Sequence, residues 1–110
     1  MALPHARSGE VVSIRPLGEQ LAGAMTAAII KAAQLEVIRV VLPAGKEMRQ
    51  HHVPGEITVQ CLEGEVELHC GTSASLLRAG DLVHLSADEP HALRGLKDAS
   101  LLVTICLPAH

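Results

Sequence analysis

The stretch 44-AGKEMRQHHVPGEITVQCLEGE-65 decides the fold. It opens at a Pro43–Gly45 corner and then places His51, His52 and Glu56 within six residues. Beyond the Pro54-Gly55 corner, Ile57, Val59 and Cys61 alternate with Thr58 and Gln60. A period of two is the mark of a strand with one buried face. The stretch closes on Leu62-Glu63-Gly64-Glu65, read as a tight turn, after which residues 66–70 would return antiparallel. Downstream, 79-AGDLVHLSADEPH-91 supplies a second histidine element, with Pro90 restricting how the chain enters His91.

Working outward, residues 35–42 form a β-branched run that stops at Pro43. Residues 26–31 read as a strand, although their alanine content makes a helix the rival. Residues 11–15 are β-prone and closed by Pro16; residues 17–24 would hold a helical turn or two, limited by Gly18 and Gly23. Residues 74–77, 82–85, 91–94 and 101–107 are further short strands separated by glycine turns. Many short strands at even spacing predict an all-β barrel or double sheet. One domain spans 1–110, with its barrel at about 35–107 and N-terminal strands in 10–31 extending the sheet.

Composition narrows the function. The net charge is −3 with no basic block, which argues against nucleic acid. No 18-residue apolar run predicts a membrane span, and no leader pattern is evident, so the cytoplasm is the expected location. Phe, Tyr and Trp are absent, which removes base stacking and aromatic cages. Cys61, Cys70 and Cys106 form no CxxC pair and read as free, largely buried thiols.

The glycine and histidine framework, Gly45, Pro54-Gly55, Leu62-Glu63-Gly64-Glu65, and Gly80-Asp81 followed by His91, resembles the cupins. These are small double-stranded β-helix (jelly-roll, RmlC-like) barrels. The resemblance implies a divalent metal held inside the barrel by two histidines and a glutamate of a first motif and one histidine of a second. Two registers compete for the first motif. Counted from the glycines, His51 takes the first ligand position, Val53 and Ile57 replace the other two, and Ile57, Val59 and Cys61 face the interior. Counted from ligand spacing, His52 and Glu56 are the histidine and glutamate, Gln50 replaces the first histidine, and Thr58 and Gln60 turn inward. A one-residue slip exchanges the two faces of the strand. Leaving each apolar side chain out would forfeit ~1.5–3 kcal/mol, which favours the glycine register. In the second motif His91 keeps the ligand position, while Ser86 and Asp88 replace the Pro and Gly of the turn.

The resemblance therefore implies a binding module that contacts a small polar ligand through His51 and His91, with Ile57, Val59 and Cys61 lining the pocket. The competing expectation is a metal-dependent enzyme of dioxygenase, isomerase or decarboxylase type. It would carry Fe, Mn, Ni or Zn on His51, His52, His91 and Glu56. His84, in an apolar strand, reads as structural. A homodimer is expected, because both faces of residues 35–42 and 101–107 are apolar.

Overall fold

The structure is a computed structural model; it describes residues 5–108, and of Gln50 and His51 the backbone alone. Among the described residues a 3₁₀ turn, Gly18–Gly23, precedes seven strands: β1 (Ala27–Lys31), β2 (Leu35–Leu42), β3 (Glu47–His51), β4 (Ile57–Cys70), β5 (Ser73–Arg78), β6 (Leu82–Leu85) and β7 (His91–Cys106). No described helix is long and apolar enough to cross a membrane.

Two long strands organise the whole. β4 and β7 lie antiparallel along most of their length, from Ile57 opposite Ile105 to Cys70 opposite His91. Each takes different outer neighbours at its two ends. The first part of β4 pairs with β6 and the second with β5. The first part of β7 pairs with β3 and the last with β2, which in turn carries β1. One layer therefore runs β1-β2-β7-β4-β6 and the other β3-β7-β4-β5, with both long strands crossing between them. This is the expected all-β jelly roll, a sandwich of two antiparallel layers around one core.

The core follows from the period-two pattern. Ile57, Val59 and Cys61 are buried from β4, and Leu101 and Val103 face them from β7. After the bend, Val66 and Leu68 continue the inward row against Leu93. Thr58 and Gln60 are only half-buried, so the glycine register of the first motif is the one the chain adopts.

Three expectations change. Residues 62–65 do not reverse the chain; β4 continues through them, bending where its register against β7 shifts between Cys61 and Val66. Gly64 makes the bend feasible. Its φ of 80° lies in the left-handed region, and a Cβ there would overlap the Asp98 carbonyl and Ala99 of the neighbouring strand. Residues 91–107 are likewise not two strands, since β7 is continuous. Residues 11–15 form no strand. The Ser13 and Arg15 carbonyls accept from the Arg39 guanidinium at 3.3 and 3.0 Å instead of from a ladder, and Pro16 has no N–H to offer.

The resulting N-terminal strap crosses the outer side of β2. Thr26 Oγ1 accepts from the Val41 N–H at 2.9 Å. Glu63, at the β4 bend, accepts from the N–H groups of Leu17 (2.9 Å) and Gly18 (3.1 Å) and from the Ser100 hydroxyl. Part of the apolar outer face that was expected to need a second subunit is thus covered by the chain itself.

Candidate functional site

The two layers gape at the end where β4 begins and β7 begins. A cavity of about 80 Å³ lies there, enclosed mostly by apolar side chains, with His91 as the titratable group in its wall. Ile57 and Val59 line it from β4, as expected. Cys61 does not: it lies deeper, fully buried near the bend, where its thiol reaches the Glu63 and Gly64 carbonyls at 3.4 and 3.7 Å. Burial first, and then the nearby Asp81, Glu63 and Glu65 carboxylates, raise that thiol above its ordinary value against the opposing backbone hydrogen bond at Glu63, so it stays protonated.

His91 opens β7 directly after Pro90 and is only 3% exposed. Its Nδ1 lies 3.0 Å from the Glu89 carbonyl oxygen. A carbonyl can only accept, so the neutral ring carries its proton on Nδ1 and its lone pair on Nε2. Register places the His51 backbone opposite His91 on one side, through β3, and Cys70 opposite it on the other, through β4. The His51 imidazole itself lies outside the described residues. The Cys70 thiol is raised by burial first and by the Glu89 carboxylate second. A nucleophilic thiol needs the opposite shift, so Cys70 is a neutral neighbour of His91.

The other two proposed ligands point elsewhere. Glu56 precedes β4 on its outer side, and its Oε1 lies 2.8 Å from His84 Nε2, both side chains more than half exposed. His84 is therefore not a core histidine: it alternates outward in β6 while Val83 and Leu85 turn inward. The His52 Nδ1 lies 3.5 Å from Asp88 Oδ1, again on the surface. Neither Glu56 nor His52 is brought to His91. Their surface ion pairs contribute roughly 0–1 kcal/mol each. A mononuclear centre needs at least three protein ligands. With Ile57 at the glutamate position and His52 and Glu56 engaged outside, the described residues do not fit that metal site.

Several wall residues were missed by sequence reasoning, among them Ile38, Met48, Leu93 and Ile105. The signal for Met48 was present: Glu47-Met48-Arg49 alternates as a strand does, but next to two histidines it reads as a loop. Asp88 explains how the second motif keeps its shape without glycine. Its φ of 61° is left-handed, a conformation Asp tolerates better than most residues, and its N–H donates to the Val53 carbonyl at 2.8 Å.

The family model described as "Cupin domain" matches residues 38–107. The chain belongs to the cupin family. No curated protein matches it. Solved structures agree on the fold of this cupin. A cupin superfamily protein from Desulfitobacterium hafniense is 16% identical with a TM-score of 0.78, covering 94% of this chain and 100% of its own. An RmlC-like cupin from Desulfovibrio desulfuricans is 23% identical with a TM-score of 0.70, covering 96% and 100%. A conserved protein of unknown function from Streptococcus pyogenes is 17% identical with a TM-score of 0.76, covering 100% and 97%.

Proposed function

We propose that this cupin is a binding module whose barrel holds a small polar ligand of a few heavy atoms, one that donates an N–H or O–H, on His91. The observation that supports it is a buried imidazole, oriented by the Glu89 carbonyl, in a cavity of about 80 Å³ whose other described lining residues are apolar. Pockets for drug-sized ligands are several times larger, ~300–1,000 Å³, so the ligand is small. With its Nδ1 proton directed at the Glu89 carbonyl, the neutral ring meets a ligand as an acceptor through Nε2, which selects for a ligand with an N–H or O–H donor.

The second reading is a mononuclear enzyme of dioxygenase, isomerase or decarboxylase type using Fe, Mn, Ni or Zn. One observation favours it: the backbone of His51 sits directly opposite His91 in the β3–β7 pairing. The two readings separate by metal analysis of protein expressed with all four metals, together with acetamide titration followed by NMR. Saturable acetamide binding, abolished in His91→Ala, with only trace metal supports the module. Stoichiometric metal that is lost in His91→Ala overturns it in favour of the enzyme. Cytoplasmic location and a homodimer belong to the same proposal; sedimentation as a monomer at micromolar concentration would remove the dimer.

A further inference from the structure

A second hollow lies on the opposite side of β2 from the His91 cavity. Ile38 and Val40 line the His91 cavity, so the alternation of the strand turns Arg39 to the other face. There the N-terminal strap and β1 border a half-open hollow of about 550 Å³, with Ser13, Leu17 and Met25 contributed by the strap, Ala27 and Ile29 by β1, and Arg39 by β2. This volume lies within the ~300–1,000 Å³ range of small-molecule sites. The wall is almost wholly apolar, and Arg39 is its one charged residue.

The electrostatics of Arg39 define what fits. Arg39 is half-buried as a residue, and its guanidinium, at the exposed edge, offers five N–H groups. Nη1 and Nη2 donate to the Arg15 and Ser13 carbonyls at 3.0 and 3.3 Å, which holds the group in place without neutralising it. Among the described residues no carboxylate lies within ion-pair distance of Arg39. Glu63 feels its field, but both Glu63 oxygens are already taken by Leu17, Gly18 and Ser100. A cation at the edge of an apolar wall is matched by an anion that brings its own apolar body.

We propose that this hollow binds a small amphipathic anion, a medium-chain carboxylate, with its head on Arg39 and its chain against Ala27, Ile29 and Met25. The strap pinned by Glu63 forms one wall, and the site is separate from the His91 cavity. A second copy of the chain is the rival occupant, because Met25 is 83% exposed at the rim.

The test titrates the full chain with octanoate and, in parallel, with 1-octanol, read by calorimetry and by NMR. Saturable one-to-one binding of octanoate, at least tenfold tighter than the alcohol, is expected. Arg39→Met should remove that preference while leaving the weaker alcohol binding. Ala27→Trp, which fills the hollow from the position paired with Arg39, should abolish both. His91→Ala should change neither. Equal affinity for acid and alcohol, binding that survives Ala27→Trp, or a dimer that is broken by Ala27→Trp without any octanoate binding would each overturn the proposal.

Discussion

Glu63 shows how much one side chain decides. Its carboxylate joins the β4 bend, the N-terminal strap and Ser100 of β7. Burial alone would raise this carboxyl. The hydrogen bonds from Ser100, Leu17 and Gly18, with Arg39 nearby, outweigh that and hold it below its usual 4.5. A carboxyl depressed on folding stabilises the fold fully above its unfolded value, and that stability is lost as pH falls through the lower folded value. Glu63→Gln keeps the shape but not the charge, and should cost about 1–2 kcal/mol at neutral pH. The deficit against the parent should shrink as pH drops below 4.5, read by thermal melts across pH. A deficit independent of pH would show that the charge contributes nothing. Glu63 was invisible as an anchor in the sequence, where Leu62-Glu63-Gly64-Glu65 reads as a tight turn. Its partners Leu17 and Gly18 are 46 and 45 residues away.

At the scale of elements, β4 and β7 matter because they belong to both layers. A strand that changes layer needs a sharp bend, and a bend held against a neighbouring backbone needs the missing side chain of glycine. At Gly64 a methyl group would meet the Asp98 carbonyl and Ala99 while also forcing a left-handed residue. Gly64→Ala should therefore lose about 3 kcal/mol or more, measured by urea unfolding, as strain and overpacking combine. A loss under about 1 kcal/mol would mean that β7 yields at this point. Strand existence was largely legible: β2 and β6 coincide with the apolar runs at 35–42 and 82–85. The continuity of β4 was not, because a bending glycine and a reversing glycine leave the same local pattern. Only the pairing of residues 57–61 and 65–70 with the same β7 distinguishes them.

For the whole molecule, layering sets the accessibility of the three thiols. Cys106 is exposed at the end of β7, Cys70 half-buried beside His91, and Cys61 fully buried at the bend. Burial also keeps the Cys61 and Cys70 thiols protonated, which slows attack further. Labelling with a thiol reagent should modify Cys106 first, then Cys70, and Cys61 only at the rate of opening of the core. Mass spectrometry of the digested protein reads the order, and early modification of Cys61 would contradict the packing of β4 against β7.

The sequence by itself determined the all-β class, the inward row Ile57-Val59-Cys61 and the special standing of His91, because alternation and glycine or proline corners act over a few residues. Tertiary structure alone decided that Glu56 turns to His84, that His52 turns to Asp88, and that a strap crosses β2 above an apolar hollow. Those outcomes depend on which distant strands become neighbours. A polar side chain takes the nearest partner the fold supplies, and its spacing along the chain does not record who that partner is.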